Sequence, residues 1–175
     1  MTRASAVTRL LGPAGRAYDA ARLRWAALRD AERLSTLWRS ARPEAAEGAS
    51  EMREWLEHGG ALMLEDEADA PLAALRWRDT ALGWEVDVVT HPEHRAQGYG
   101  RWLLTKVEAA AIRANVPLLT LSLSSSAPAA ELGYFARIGY LERARGPEHV
   151  ELHKRVGGTW QTKAPGTNGA SAGRT

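Results

Sequence analysis

The stretch that most constrains this chain is Val88-Val89-Thr90-His91-Pro92-Glu93-His94-Arg95-Ala96-Gln97-Gly98-Tyr99-Gly100-Arg101. An apolar strand ends at Pro92 and a short loop follows. Helical spacing then sets in through Trp102, Leu103, Val107, Ala110 and Ala111, so the chain passes from strand to helix across two glycines one residue apart. The first N–H groups of a helix lack internal acceptors, and the helix dipole adds partial positive charge there, which suits a phosphate. Gly98 and Gly100 allow that phosphate to meet the backbone with no Cβ between. Arg95 and Arg101 offer charge-assisted hydrogen bonds.

Two familiar nucleotide motifs are excluded. A Walker loop needs Lys-Ser or Lys-Thr after its last glycine, and Arg101-Trp102 stands there. The Rossmann fingerprint needs a third glycine and a later acidic residue, and neither fits.

Around this segment the periodicity lays out the other elements. A short apolar stretch near Thr8–Leu11 has the character of an edge strand. Gly15 to Arg42 is rich in alanine, leucine and arginine without internal glycine or proline, which predicts helix, with Asp30 capping a second piece and Pro43 closing it. Ser50 is the expected N-cap of a short helix stopped by Gly59-Gly60. Strands are predicted at Ala61–Leu64, Leu72–Arg78 and Trp84–Thr90, the last two as a hairpin. The helix from Gly98 is followed by a strand at Leu118–Leu123, a helix with Pro128 in its first turn that ends at Gly139, and strands near Tyr140–Arg145 and Val150–Arg155. The order is α/β (α+β) around a mixed sheet: one domain over residues 1–157, then a polar tail over 158–175 too poor in apolar surface to order itself.

Composition narrows the chemistry. The 175 residues are 45% hydrophobic, which suits one globular core. No cysteine is present, which removes disulfides, thiolate nucleophiles and cysteine–zinc sites. Lys106, Lys154 and Lys163 are the only lysines among 23 basic residues, and the arginines are interleaved with 21 acids. That pattern predicts an ion-paired surface rather than a nucleic-acid face. With no apolar run of membrane-spanning or signal-peptide character, the expectation is a soluble cytoplasmic protein without a membrane partner. No cluster has metal-ligand spacing. His91 and His94 are expected as solvated loop residues. His149 and His153 lie near the last strands, and His153, considered as a functional group, is assigned no role because no carboxylate partner is in view.

Arg95-x-x-Gly98-x-Gly100 after a strand resembles the pyrophosphate motif of the GNAT N-acetyltransferase superfamily. Phe135-Ala-Arg-Ile-Gly139-Tyr140 resembles that family's second landmark, and the order of elements between the two agrees. The resemblance spans roughly Leu62 to Lys154. It implies a mixed, mostly antiparallel sheet splayed between the Trp84–Thr90 and Leu118–Leu123 strands and flanked by about four helices. It further implies acetyl-CoA as cosubstrate, with pantetheine against Val88, Val89 and Thr90 and phosphates on the loop Arg95, Ala96, Gln97, Gly98, Tyr99, Gly100 and Arg101. The activity implied is direct acetyl transfer in a ternary complex to a primary amine, whether a small molecule, an amino acid, an antibiotic or a protein N-terminus. Homodimers are a family habit.

Direct transfer needs a base for the acceptor ammonium and an acid for the departing thiolate. Glu85 and Asp87 interrupt an apolar strand on one face and are the base candidates. In one hairpin register Arg78 faces Glu85 and Arg76 faces Asp87, which would make both carboxylates structural ion pairs instead. The family's frequent tyrosine acid is replaced by Phe135, and Tyr134 is the candidate substitute, although one helical residue turns a side chain by about 100°. Phe135 also motivates an alternative, a non-catalytic acyl-CoA-binding module of the same fold. A phosphate binder unrelated to acetyl transfer is a third reading.

Overall fold

A computed structural model describes residues 21–44 and 48–157. The edge strand expected near Thr8–Leu11 and the tail over 158–175 lie outside the described residues. Among the described residues, seven strands form one sheet in the order β1 (Arg22–Trp25), β2 (Gly59–Glu65), β3 (Pro71–Thr80), β4 (Gly83–Thr90), β5 (Leu118–Ser124), β7 (His149–Arg155), β6 (Leu141–Arg145). All pairings are antiparallel except β4 with β5. Helices α1 (Ala31–Ala41) and α2 (Ala49–Glu57) cover one face, and α3 (Tyr99–Arg113) and α4 (Ala129–Arg137) the other.

The helix predicted from Gly15 onward is interrupted by β1. Helix propensity in an Ala/Arg-rich segment amounts to tenths of a kcal/mol per residue, and tertiary contacts override it. Here the override is ionic. Arg24 donates to Glu65 through Nε at 2.8 Å and Nη2 at 2.9 Å, and to Asp30 at 2.7 and 2.8 Å. Arg22 and Arg33 also pair with Glu65, whose side chain is fully buried. These bonds require the chain beside β2, in the register Arg24↔Met63. Asp30 does precede α1, but its carboxylate accepts the Ala27 N–H at 2.8 Å rather than capping the helix.

Two boundaries also move. The N-cap of α2 is Gly48 rather than Ser50, with Glu51 reaching back to its N–H at 3.0 Å. Gly59 and Gly60 open β2 instead of merely ending α2, because the neighbouring strand leaves no space for a side chain. A Cβ at Gly59 would stand 1.9 Å from the Trp77 carbonyl oxygen.

The hairpin β3–β4 takes the register expected from sequence, Arg76↔Asp87 and Arg78↔Glu85. Beside it, β4 and β5 pair only through Trp84↔Leu119 and Glu85↔Thr120, then part. Close contact at this apex depends on Gly83, at φ +149°, where a Cβ would meet the Leu118 carbonyl oxygen at 2.1 Å. Beneath both strands runs α3, burying Trp102, Leu103, Leu104, Val107 and Ala111. Among the described residues, no helix is long and apolar enough to cross a membrane.

The ionic anchor of β1 has a pH signature. Hydrogen bonds from Arg24, opposed by burial and helped by the Ala27 N–H, hold the Asp30 carboxyl at about 2. An unfolded aspartate titrates near ~3.9, so ionised Asp30 contributes about 2 kcal/mol that is complete above that value and lost as pH falls through ~2. Urea denaturation between pH 6 and pH 2 should therefore show Asp30→Asn less stable at pH 6 and flatter on the acid side. An acid limb as steep as that of the unaltered protein would contradict this.

Candidate active site

The site is built from the sheet outward. His91 N–H donates to the Leu72 carbonyl at 2.9 Å, so residue 91 pairs with β3. Antiparallel alternation then turns the backbone groups of Val89, Asp87 and Glu85 toward β3, and those of Thr90, Val88 and Val86 away from it. Beyond the apex these outward groups face the opening left by β5. Of the three strand residues expected to meet pantetheine, Val88 and Thr90 present their backbone there. Val89 spends its own on Ala74 and buries its side chain under α1 and α2. The Val88 carbonyl accepts Arg42 Nη2 at 3.0 Å.

The loop beyond β4 is a single 3-10 turn, Pro92–His94, closed by His94 N–H on the His91 carbonyl at 2.9 Å. It brings one donor atom each from His91, Glu93 and His94 within 4.8 Å of one another, a grouping that sequence spacing does not mark. Ala96 then sits at φ +61° and Gly98 at φ +88°. The first condition is costly for a residue with a Cβ, by about 1 kcal/mol. These two left-handed residues swing the chain so that α3 starts with its N-terminal end toward the opening. Trp102 N–H, bonded to the Gly98 carbonyl at 3.0 Å, closes the first turn, and the amides of Gly100 and Arg101 before it point out of the helix end. A Cβ on Gly100 would lie 3.4 Å from Thr90 Oγ1 and 3.8 Å from Val88 Cγ2, where strand and helix converge.

Arg95, the expected phosphate contact, also has a partner within the protein. Its Nη2 donates to the Ala41 carbonyl at 2.7 Å, tying the loop to the end of α1. Arg101 is exposed at the mouth of α3.

The two strand carboxylates share the α1/α2 face, as strand alternation requires. Asp87 accepts Trp38 Nε1–H at 2.6 Å, Arg42 Nη1 at 2.7 Å and Arg76 Nη2 at 3.0 Å. Burial pushes its carboxyl up, but Arg42, Arg76 and the indole N–H outweigh this and hold it below the usual carboxylate value. Arg76 is itself only 2% exposed, stacked 4.1 Å from the Trp55 ring and 4.8 Å from that of Trp38. Glu85 accepts Arg78 at 2.7 Å nearer the surface. Both carboxylates therefore make the ion pairs that the hairpin register anticipates. Trp38 and Trp55 hold the guanidiniums, and Trp25 is exposed at the sheet edge, 5.4 Å from Trp77.

On the other face, Phe135 is buried against Tyr140, at 5.8 Å between rings. Tyr134, one residue earlier, is half-buried and lies within the electrostatic reach of Arg101 and Glu108 on α3. The 100° step thus aims Tyr134 at α3 while Phe135 enters the core. Burial raises the Tyr134 phenol above its ordinary value, with Arg101 pulling the other way, so it stays protonated. Tyr140 is 1% exposed and its hydroxyl has no hydrogen-bond partner among the described residues.

Residues 57–142 match the acetyltransferase (GNAT) domain model. The fold agrees with solved acetyltransferases. The ribosomal-protein-S18-alanine N-acetyltransferase of Escherichia coli superposes with a TM-score of 0.71 at 13% identity, over 81% of this chain and 97% of that one. A putative acetyltransferase of Salmonella typhimurium, solved with acetyl-CoA, gives 0.66 at 17% identity over 83% and 99%. An N-acetyltransferase of Thermoplasma acidophilum, solved with coenzyme A, gives 0.62 at 11% over 78% and 99%. No curated protein matches the sequence. The match to the GNAT domain model and the fold shared with these acetyltransferases thus fall on the same part of the chain.

Sequence reading missed Arg42 and Trp38 as partners of Asp87, since nothing in their spacing links α1 to β4. The contrast between the two carboxylates is measurable. Removing Asp87 strands a buried guanidinium, so Asp87→Ala should cost about 3–5 kcal/mol in chemical denaturation. Glu85→Ala frees an exposed Arg78 and should cost under ~1 kcal/mol. Equal losses would show that Asp87 is not the structural member of the pair.

Proposed function

We propose that the protein is an N-acetyltransferase that moves the acetyl group of acetyl-CoA to a primary amine by direct attack in a ternary complex. One observation carries the reading. The central strands β4 and β5 part beside a helix N-terminus that lacks side chains at Gly98 and Gly100, so a strand edge without a neighbouring strand and a phosphate cradle lie end to end. The edge groups of Val88 and Thr90 suit the amides of pantetheine, and the amides of Gly100 and Arg101 suit its phosphates. The structural relatives solved with acetyl-CoA and with coenzyme A support this choice of cosubstrate.

Each residue then has a task. A Val88 N–H turned to the opening donates to the thioester oxygen as it gains charge, a contact of the kind worth a few kcal/mol. Tyr134, protonated and turned toward α3, donates its phenolic proton to the departing thiolate. Asp87 holds Arg42 and Arg76 in place under β4 rather than moving protons. The acceptor is an amine entering from the α1/α2 face. With no cysteine in the sequence, a thiolate nucleophile for a covalent intermediate is excluded.

Calorimetric titration with acetyl-CoA, CoA and ATP tests the cosubstrate, and release of CoA thiol in the presence of a panel of primary amines tests turnover. Acetyl-CoA should bind in preference to ATP. Gly100→Glu should abolish that binding while leaving the circular dichroism and melting transition intact, because the new carboxylate occupies the phosphate position. Undiminished affinity in the folded variant would place the phosphates elsewhere. Tyr134→Phe should bind acetyl-CoA normally and turn over about 10²-fold more slowly.

A further inference from the structure

The acceptor ammonium must shed a proton before its nitrogen can attack, and the strand carboxylates are poorly suited to take it. Asp87 is saturated by three donors, and Glu85 is engaged by Arg78. The register supplies another group. Glu85 pairs with Thr120 across the last rung of β4–β5, and Thr120 pairs with His153 across β5–β7. These three residues form a row at the level where the strands part. Neighbouring strands lie about 4.8 Å apart, so His153 stands roughly 10 Å from Glu85, with Thr120 between.

The row lies on the acceptor side of the sheet. Leu119, Leu121 and Leu123 of β5 and Val150 and Leu152 of β7 all pack in the core with α3. Alternation therefore turns Thr120 and His153 to the opposite face, the one that carries Glu85. There the imidazole is half-buried, and its Nδ1 is buried with no hydrogen-bond partner among the described residues. A buried ring nitrogen without a partner is uncommon in a folded protein.

We propose that His153 is the proton acceptor for the amine substrate, an inference that rests on the acetyl-transfer reading above. The ammonium R–NH3+ gives one proton to the imidazole. The freed amine forms the C–N bond at the thioester carbonyl carbon, and the C–S bond breaks. The second proton lost from nitrogen balances the one taken up by the thiolate, leaving R–NH–acetyl, CoA thiol and a protonated His153 that returns its proton to water. Imidazole is the side chain best matched to this exchange near neutral pH. The titratable and charged groups that share its face are His149, Glu151 and Arg155 on β7, Arg143 on β6, the Glu85–Arg78 pair beyond Thr120, and Asp87 with Arg76 and Arg42 further along β4.

Bromoacetyl-CoA tests the placement without knowledge of the acceptor. Its CH2–Br carbon is attacked by a nearby imidazole nitrogen and bromide leaves, and with no cysteine in the sequence thiol alkylation does not compete. Peptide mass spectrometry should find the adduct on His153, suppressed by excess CoA, slower at pH 5 than at pH 8, and missing in His153→Gln. Calorimetry should show that His153→Gln still binds acetyl-CoA. With whichever amine supports turnover, that variant should lose about 10²–10³-fold in kcat, keep its KM for acetyl-CoA, and lose the imidazole limb of the pH profile. CoA-competitive binding of the probe with labelling elsewhere, or with none, would overturn the assignment while leaving the transferase reading intact. If no CoA species binds at all, the transferase reading falls and this inference falls with it.

Discussion

In the interior of a sheet, every backbone N–H and C=O ordinarily has a partner on the next strand, because a buried polar group without one costs several tenths of a kcal/mol to a few kcal/mol. In this protein β4 and β5 share two residue pairs and then separate, so the groups of Val88 and Thr90 are left facing a gap in the middle of the molecule. The neighbouring parts are arranged around that gap. Helix α3 lies beneath it and directs its N-terminus at one end, α4 sets Tyr134 within electrostatic reach of Arg101 and Glu108 on α3, and Arg42 reaches from the end of α1 to the Val88 carbonyl.

The arginines explain how the opposite wall holds its shape. Composition alone suggests a solvated, ion-paired surface, but the pairs that matter lie at junctions between elements. Arg22, Arg24 and Arg33 converge on buried Glu65 and fasten β1 to β2 and α1. Arg42 and Arg76 converge on Asp87 and fasten α1 to the strand beside the opening. Arg95 ties the loop after β4 to the last turn of α1. Planar, many-donor guanidiniums can satisfy two elements at once, which a lysine does less well.

Much of this was legible in the sequence where local chemistry and pattern agree. The strand-loop-helix passage through Gly98 and Gly100, the hairpin register that sets Arg76 against Asp87, and the end of α4 at Gly139 are all properties of neighbouring residues. The misreadings have a common cause. Arg22–Trp25 looks helical by propensity and becomes a strand because Glu65 and Asp30, one of them forty residues away, take its arginines. Asp87 looks like a base until Trp38 and Arg42 arrive from another element. In the sequence His153 has no carboxylate partner in view and Thr120 carries no signal, because their relation to Glu85 exists only once three strands are laid side by side.

Gly83 lies at the joint of this arrangement. On one side stand β1 to β4, on the other β5 to β7, and among the described residues the rungs Trp84↔Leu119 and Glu85↔Thr120 are the only sheet pairs across the divide. The sheet is thus two leaves joined by a short seam, and Gly83 lets the seam close, with the Leu118 carbonyl in the space a Cβ would fill. The angle between the leaves, and so the width of the slot further along, is fixed at a turn lying outside the slot itself.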